Sequence, residues 1–506
     1  MSERRVAVID LGSNSFRLVV FTWVPGGWWK RTDEIFESVR LGQGLDGSGA
    51  LQAAPMQRAL DTIDLFAHFC RATEIDDVRP VATSAIRDAA NRDELLARAR
   101  ERSGLEIQVL SQEEEAYFGY LAVANSTSLT DGVALDIGGG SMQLSHVKDR
   151  HQLDSRSWPL GAVRMTERFF PDEKAKKGQI EDLRKHVRKE LESAPWLEDA
   201  AERGERMAGI GGALRNLATA AELEGELPSF GVQGFTLRKK ALSKLVDELA
   251  DLPASERGGM PGIKKERGDL ILAAAIVIEE VMASGGFDEI ETTEEGLREG
   301  VFFSVLLEDR DPPLFDDVRR ASVRNLALQY HPEPAHTNHV ARLALELWDE
   351  LAQAGLHEGD AHERELLWAA AILHDIGTAV DYDDHHRHSQ YLVLNAGLPG
   401  WSLRETVLIA QMVRYHRKGS PGLAEFEPLT EDGDEDVLLR CSAILRLAEQ
   451  FERARDQAVK AAHVAVNDGS VDLTIEADED VSLARWAAER TSDVFKSAFG
   501  KELRVT

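Results

Sequence analysis

Two segments of the chain carry the same residue types in the same order, 126 positions apart: VAVIDLGSNSFRL at 6–18 and GVALDIGGGSMQL at 132–144. Each segment is an apolar run that ends in an aspartate, followed by a turn of glycine and serine and a second apolar run. This pattern predicts a strand, a tight hairpin turn and another strand, with Asp10 and Asp136 at the mouths of the turns.

The two turns have the composition of phosphate-binding loops. Glycine lets the backbone approach a ligand closely and adopt positive φ, so that several N–H groups can converge on one phosphate. The neighbouring aspartate can hold a hydrated divalent cation that the phosphate shares. Two turns in matching register indicate a duplicated domain with both loops facing one cleft. The predicted phosphate-binding residues of the turns are Gly12, Ser13, Asn14, Ser15, Gly138, Gly139, Gly140 and Ser141.

Four further motifs follow in order: ATSAIRDA at 82–89, LSQEEEA at 110–116, GIGGALR at 209–215 and GLREG at 296–300. Together with the paired turns, they resemble the exopolyphosphatase/guanosine pentaphosphate phosphohydrolase (Ppx/GppA) family in its long form. The resemblance implies an α/β fold of two actin-like lobes around a cleft, as in sugar kinases and chaperone ATPases. Alternating strand and helix patterns agree with two such lobes.

The chain is long enough for several domains. A DRDPP segment at 309–313 breaks the α/β pattern and is predicted to be a linker. A stretch rich in Gly and Asp, Leu429–Asp436, is a predicted surface loop within the helical region. The predicted domains are lobe I at 1–125, lobe II at 126–308, an all-α domain at 316–460 and a small α+β appendage at 463–506.

Composition favours a soluble, cytoplasmic protein. Apolar residues make up 43% of the chain and charged residues 29%, and no run approaches the roughly 20 apolar residues that a membrane helix requires. The opening MSERR leads directly into a predicted strand and is not a signal peptide. Cys70 and Cys441 fall in separate predicted domains, as expected for reduced, buried thiols. We expect a homodimer that does not bind membranes.

The formal net charge of −29 opposes non-specific binding of polyanions, so DNA is not an expected partner. An anionic chain as substrate requires local positive charge. Single basic runs are more typical of solvated helix faces, but the gathering of basic residues within 174–267 of an acidic chain favours a role in binding an anionic chain. These residues are Lys174, Lys176, Lys177, Arg184, Lys185, Arg188, Lys189, Arg238, Lys239, Lys240, Lys264, Lys265 and Arg267.

Three consecutive glutamates, Glu113–Glu115, follow Ser111 at the start of a predicted helix. Ser111 and Glu114 form a capping-box pattern, and acidic residues are favoured near a helix N-terminus, so periodicity alone assigns none of the three a catalytic role. The family resemblance does, because the family's catalytic carboxylate directly precedes the alanine of this motif. It implies that Glu115 is the general base that deprotonates a water molecule.

The resemblance also implies the ligands of substrate and metal. Asp136, and Asp10 with it, would bind Mg²⁺ directly or through water, and Arg87 would contact phosphate. The chain departs from the family at Gln143, where members usually carry glutamate. Glutamine can offer a carbonyl oxygen to the metal's water shell with one negative charge fewer, so we expect a weakened magnesium shell.

A second constellation lies in the helical region. His336 and His374 fall on apolar helix faces, His374 is followed by Asp375, and Glu449 lies in line with a later apolar face. The order of these residues resembles an HD-type phosphohydrolase domain, although active HD domains usually carry aspartate at the last position. The resemblance implies a candidate site for a transition-metal ion. Further histidines in this region are His385, His386, His388 and His416.

We therefore predict a Mg²⁺-dependent exopolyphosphatase that removes terminal orthophosphate from inorganic polyphosphate. The alternative with the same chemistry is a guanosine pentaphosphate (pppGpp) phosphohydrolase, since no motif reads a nucleobase. Alternatives of another class are an ATP-dependent kinase or ATPase of the same fold, and a regulatory protein whose HD-like domain senses a nucleotide.

Overall fold

The computed structural model describes residues 2–330 and 333–506. The chain forms two compact units, the first ending at Val318 and the second beginning at Arg319. The first unit contains two α/β lobes, and the second is mainly helical with a small sheet near its end. This architecture confirms the predicted fold class.

The sheet of lobe I is built around the first predicted hairpin. Strands β1 and β2 pair antiparallel, with Asp10 opposite Arg17, while β4 lies parallel to β1 on its other side. The strand order is β3-β2-β1-β4-β5. The strands are β1 Arg4–Leu11, β2 Phe16–Trp23, β3 Trp29–Glu37, β4 Val78–Ala82 and β5 Gln108–Val109.

The sheet of lobe II repeats this arrangement. Strands β6 and β7 form the second hairpin, with Asp136 opposite Gln143, and β9 lies parallel to β6 as β4 does to β1. The strand order is β10-β11-β9-β6-β7-β8. The strands are β6 Gly132–Ile137, β7 Met142–Lys148, β8 His151–Trp158, β9 Arg206–Ile210, β10 Thr236–Arg238 and β11 Glu289–Thr292. The shared core of hairpin and parallel strand accounts for the repeat in the sequence.

Helices connect and cover the two sheets. Those that follow lobe I strands are α1 Leu45–Ser48, α2 Ala53–Ala72, α3 Ser84–Arg87, α4 Arg92–Ser103 and α5 Gln112–Ala124. Those that follow lobe II strands are α6 Ala162–Phe169, α7 Lys177–Leu191, α8 Gly212–Glu224, α9 Lys239–Asp251, α10 Ala254–Arg257, α11 Ile271–Gly285 and α12 Leu297–Leu306, with 3₁₀ turns at Pro195–Leu197, Ala200–Arg203 and Lys265–Arg267.

The lobes exchange one helix each. Helix α5, at the end of the lobe I segment, packs on β6, β7, β8 and β9 of lobe II, while α12, at the end of the lobe II segment, packs on β1 and β2 of lobe I. Phe302 of α12 stacks on Phe21 of β2 with ring centroids 4.2 Å apart. The two helices also pack on each other, and a Cβ atom at Gly300 would lie 1.9 Å from the carbonyl oxygen of Phe118. The predicted lobe boundaries at residues 125 and 308 divide the chain by sequence position, so they do not take this exchange of helices into account.

Residues 309–313, predicted as a linker, lie within the first unit. The side chain of Asn125 donates a hydrogen bond to the carbonyl oxygen of Pro313 at 2.9 Å. Phe315 stacks on Trp29, with ring centroids 4.9 Å apart. The first unit is therefore completed by residues beyond the predicted end of lobe II.

The second unit begins with helices whose apolar faces enclose a group of histidines. The helices are α13 Val318–Gln329, α14 Pro334–Gln353, α15 Ala361–Leu373, α16 His385–Ala396, α17 Leu403–Tyr415 and α18 Asp434–Phe451, with 3₁₀ turns at Ile376–Ala379 and Ala424–Leu429. Leu429–Asp436 is only partly a loop, because Asp434, which is 1% exposed, begins α18 and pairs with Arg404. That ion pair brings the acidic end of the predicted loop into the helix.

The chain ends in a small α+β element. A three-stranded sheet with the order β12-β13-β14 carries two short helices. Its elements are β12 Val459–Val466, β13 Ser470–Ala477, α19 Ser482–Glu489, α20 Ser492–Phe499 and β14 Glu502–Val505. Within the described part of the chain, no helix is both long and apolar enough to cross a membrane.

Candidate active site

The turns of the two hairpins face each other across the cleft of the first unit. A Cβ atom at Gly140 would lie 2.4 Å from the hydroxyl of Ser84 and 2.7 Å from that of Ser13, and one at Gly139 would lie 3.1 Å from Cβ of Ser13. None of the glycines at 12 and 138–140 has a positive φ. The expectation of left-handed backbone in these turns was wrong, and close approach between the turns is what requires glycine here.

A cavity of about 120 Å³ lies between the turns. Nine of the twelve cleft residues predicted for phosphate and metal binding line it, while Gly140, Arg87 and Gln143 do not. The polar and glycine residues that line the cavity are Asp10, Gly12, Ser13, Asn14, Ser15, Arg17, Thr83, Ser84, Glu115, Asp136, Gly138, Gly139, Ser141, Gly211, Gly212, Arg215, Arg267, Gly296 and Arg298.

Glu115 is placed in this cavity by the first turn of α5. Ser111 caps the helix by accepting a hydrogen bond from the backbone N–H of Glu114, whose carboxylate accepts one from the N–H of Ser111, as the capping-box pattern predicted. Of the three glutamates, Glu113 and Glu114 are exposed and Glu115 is only 6% exposed. Burial therefore singles out the glutamate that the resemblance had indicated.

Both carboxylate oxygens of Glu115 are engaged. Nη1 of Arg87 donates to Oε2 at 2.6 Å, and the hydroxyl of Ser141 donates to Oε1 at 3.2 Å. Burial raises the pKa of Glu115, and the charge of Arg87 opposes that shift. Arg87, predicted to contact phosphate, contacts the candidate base and the carbonyl oxygen of Leu110.

The two hairpin aspartates differ in their partners. Asp10 forms an ion pair with Arg298 of α12, at 3.1 Å, whereas no basic side chain among the described residues lies within ion-pair distance of Asp136. Burial raises the pKa of both groups. The negative charges of Glu115 and Asp10 raise that of Asp136 further, to about 7. Asp136 is therefore the carboxyl group of the cleft with the least compensation from the protein.

Four arginines line the cavity, and none was predicted as a site residue of the cleft: Arg17, Arg215, Arg267 and Arg298. Burial lowers the pKa of Arg215, and burial together with neighbouring arginines lowers that of Arg267 to about 10. Crowded guanidinium groups of this kind are stabilised by an anion. Arg215 and Arg298 lie inside two of the motifs described above, GIGGALR and GLREG. Their location in these motifs could have identified them as site residues.

The basic residues gathered at 174–267 include arginines with different partners. Arg184 and Arg188 both pair with Glu280, a residue 3% exposed in the middle of α11. These two arginines hold α7 against α11. Arg267 is the member of the cluster that reaches the cavity.

The second candidate site is a buried group of histidines and acids in the helical unit. His336 lies in α14, His374 directly follows α15 as its C-cap, and Glu449 lies in α18. Nε2 of His336 is 3.3 Å and Nε2 of His374 is 3.5 Å from Oε2 of Glu449. Asp375 is 5% exposed, with Oδ2 3.6 Å from Nε2 of His336. The structure thus brings all four predicted residues together.

Two further histidines complete this group. His385 begins α16 and His416 follows α17, and their Nε2 atoms lie 3.1 Å apart. Oδ1 of Asp375 lies 3.3 Å from Nε2 of His385. Both residues were named from the sequence but were not included in the candidate metal site. Two groups that share Asp375 have the spacing of metal ligands: His336 and His374 with Asp375, and His385 and His416 with Asp375.

The ring tautomers are set by the backbone. The Nδ1 atoms of His374, His385 and His416 face the carbonyl oxygens of Ala371, Tyr382 and Val413 at 2.7, 2.9 and 2.7 Å. A carbonyl oxygen only accepts, so each Nδ1 carries the hydrogen, and in the neutral ring Nε2 presents its lone pair to the centre. This is the arrangement of metal-ligating histidines, whose second ring nitrogen donates to backbone or carboxylate.

The fold and the cleft define a two-lobed, actin-like α/β protein with two opposed phosphate-type turns. Residues 30–309 match the Ppx/GppA phosphatase family, and residues 318–489 match domain III of that family. The chain belongs to the Ppx/GppA phosphatase family, a family of hydrolases.

Several known proteins are similar to this chain. The guanosine-5'-triphosphate,3'-diphosphate pyrophosphatase of Pseudoalteromonas translucida is 27% identical over 414 residues, which are 81% of this chain and 80% of that protein. A crystal structure of the Aquifex aeolicus Ppx/GppA family member is 27% identical, covers 61% of this chain and 99% of its own, and has a TM-score of 0.52. The structure of an exopolyphosphatase from Cytophaga hutchinsonii shares the fold at 24% identity and a TM-score of 0.56, covering 60% of this chain and 98% of its own.

Proposed function

We propose that the chain is an exopolyphosphatase, which hydrolyses the terminal phosphoanhydride bond of inorganic polyphosphate and releases orthophosphate. The observation that carries this proposal is the position of Glu115, a buried carboxylate on the wall of a cavity lined by two phosphate-type turns and four arginines. Hydrolysis of a phosphoanhydride depends mainly on positioning and charge neutralisation, and this cavity supplies both.

Each group has a defined task in this reaction. The N–H groups and hydroxyls of the two turns hold the oxygens of the terminal phosphoryl group, and the arginines hold the following phosphates. Glu115 accepts the proton of the attacking water, and Arg87 keeps the carboxylate ionised. The raised pKa of Glu115 makes it a stronger base than an exposed glutamate.

The donor set of the cleft fits a magnesium ion. Asp136 and Asp10 offer carboxylate oxygens, the ligand type that Mg²⁺ prefers, at the mouths of two opposed turns. Mg²⁺ held there would neutralise charge that develops on the phosphoryl oxygens. Asp136 is the stronger candidate ligand, because Asp10 is already paired with Arg298.

Polyphosphate is favoured over pppGpp by the lining of the cavity. None of the described residues that line it carries an aromatic ring on which a guanine base could stack. Its side chains are arginines, hydroxyls and carboxylates, which recognise phosphate and metal. Hydrolysis of pppGpp, the activity in the name of the Pseudoalteromonas relative, remains the competing proposal.

The test is phosphate release from polyphosphate, pppGpp and ATP, measured side by side at equal concentrations of terminal phosphate with and without Mg²⁺. We expect the highest kcat/KM on polyphosphate and no release after chelation. Higher kcat/KM on pppGpp would assign the chain to the nucleotide reaction, and preference for ATP would reject both phosphatase proposals.

A specific observation favours a second function, transition-metal binding in the helical unit. With Nδ1 of both rings donating to carbonyl oxygens, the Nε2 lone pairs of His385 and His416 face each other at 3.1 Å. Two lone pairs at that distance require a proton or a cation between them. Imidazole and carboxylate ligands suit Mn, Fe or Zn.

Metal content of the purified full-length chain tests this second proposal. After reloading with Mn²⁺, Fe²⁺ or Zn²⁺ and gel filtration, we expect bound metal that the double variant His374→Ala/Asp375→Ala loses. His388→Ala, on α16 but outside both ligand groups, is the matched control and should retain it. Equal metal content in the double variant and the control would reject the site.

A further inference from the structure

Gln143 is held in a position that its predicted role in the metal shell does not explain. Its side chain is 2% exposed and does not line the cavity, although it lies on β7 opposite Asp136. Its amide nitrogen donates to the hydroxyl oxygens of Ser141, at 2.9 Å, and Ser157, at 3.2 Å. The amide is therefore directed at two serines.

Ser141 connects this amide to the candidate base. A serine hydroxyl has one hydrogen to donate, and Ser141 donates it to Oε1 of Glu115 at 3.2 Å. Because Gln143 donates to the oxygen of Ser141, it leaves that hydrogen free for Glu115. Arg87 holds the other oxygen of the same carboxylate at 2.6 Å. Hydrogen bonds thus hold both carboxylate oxygens of Glu115, and the one to Oε1 belongs to a series of hydrogen bonds that begins at Gln143.

We infer that Gln143 is a positioning residue for Glu115 that acts through Ser141, an inference that rests on the proposed role of Glu115 as base. The chemistry of the position depends on the amide. A carboxylate at 143 could only accept hydrogen bonds, so it would compete with Glu115 for the hydrogen of Ser141. It would also place a second negative charge near a buried carboxyl group whose pKa burial already raises.

A double-mutant cycle on the full-length chain tests the connection. Gln143→Met removes the amide and adds no charge, and we expect it to lower kcat about tenfold, the effect of one weakened hydrogen bond, with KM for polyphosphate unchanged. In a Ser141→Ala background the same substitution should have no further effect on kcat. Equal, additive effects in the two backgrounds would overturn the inference.

Gln143→Glu separates positioning from metal binding. If Gln143 positions Glu115, the acidic limb of the pH profile of kcat/KM moves to higher pH and the Mg²⁺ concentration for half-maximal activity does not fall. If Gln143 is a weakened substitute in the metal shell, the carboxylate lowers that Mg²⁺ concentration and leaves the acidic limb in place. The second result would overturn the inference.

A measurement without turnover distinguishes failure of the inference from failure of the proposed function. The infrared band of the protonated carboxyl group that Glu115→Gln removes reports the titration of Glu115 directly. We expect this band to persist to higher pH in Gln143→Glu, and less so when Ser141→Ala is combined with it. An unshifted band would overturn the inference that Gln143 acts on Glu115 through Ser141. A wild-type chain that releases no phosphate would overturn only the exopolyphosphatase proposal. Should Gln143→Met not fold, the pH profile and the infrared band of Gln143→Glu carry the test.

Discussion

The carboxyl groups of the cleft and those of the histidine centre are both buried, but their pKa values are shifted in opposite directions. Burial raises the pKa of Asp10, Glu115 and Asp136 in the cleft, the last to about 7. Burial also opposes ionisation in the histidine centre. There, hydrogen bonds and charges of the surrounding histidines prevail and lower the pKa of Asp375 and Glu449.

The difference lies in where the compensating positive charge comes from. In the histidine centre, His336 and His374 lie against Glu449, so the protein itself supplies groups that can balance the acids. In the cleft, the nearby cations are arginines, and two of them already hold Glu115 and Asp10. The magnesium ion proposed for the cleft would supply the positive charge that Asp136 lacks.

The largest expected effect is the loss of the proposed base, Glu115. Glu115→Gln keeps the shape of the side chain and removes the proton acceptor, so we expect kcat on polyphosphate to fall by ~10²–10⁴ while binding persists. The matched control is Glu113→Gln, on the exposed face of the same helix turn, which should stay near wild type. Near-normal turnover of the Glu115 variant would move the role to another residue, with Glu114 the next to test.

A smaller effect is expected from the arginine that holds the base. The charge of Arg87 opposes the raised pKa of Glu115, so Arg87→Met raises that pKa further. The base must be ionised, so as the pH is lowered the variant should lose activity at a higher pH than the wild type does. The acidic limb of kcat/KM should therefore move up by about one pH unit. Arg92→Met, an exposed arginine nearby, is the control. An unmoved limb would mean that the ion pair does not control the base.

Two capping boxes formed by serine and glutamate, one in each unit, allow a further comparison of the two regions. Ser111 caps α5 beside Glu115, and Ser402 caps α17 in the helical unit with the same reciprocal bonds. Each serine-to-alanine change should cost about 1 kcal/mol of stability, measured by denaturant unfolding of its own unit. Only Ser111→Ala should also lower kcat, because it loosens the turn that carries Glu115. Equal kcat values for the two variants would contradict this assignment.

The smallest effect is expected when the histidine centre is removed altogether. Residues 1–318 contain the cleft and the Phe315–Trp29 stack, and should release phosphate from short polyphosphate within about threefold of the full chain. Truncation at 308 removes Phe315 and should lower the thermal midpoint relative to 1–318. Loss of turnover in a folded 1–318 chain would show that the two regions are not independent.

Much of the site could be predicted from sequence because its signals are local. The two hairpins depend on residues within about a dozen positions, and the capping box that places Glu115 spans four. Arg215, Arg267 and Arg298 were missed because they reach the cavity from distant segments, as Arg298 reaches Asp10 across 288 positions. Arg17 lies within the first hairpin, opposite Asp10, and was missed although its signal is local. The direction of the Gln143 amide was also beyond prediction, since it depends on Ser157 in the neighbouring strand.

The exchange of α5 and α12 between the lobes has a mechanical consequence. Glu115 is carried by a helix that packs on the sheet of lobe II, whereas Arg87 lies on α3 of lobe I. A hinge rotation that widened the cleft would stretch the 2.6 Å ion pair between them, while Arg298, on the helix that packs on lobe I, would stay with Asp10. Closure of the cleft would then also restore the ion pair that holds the proposed base.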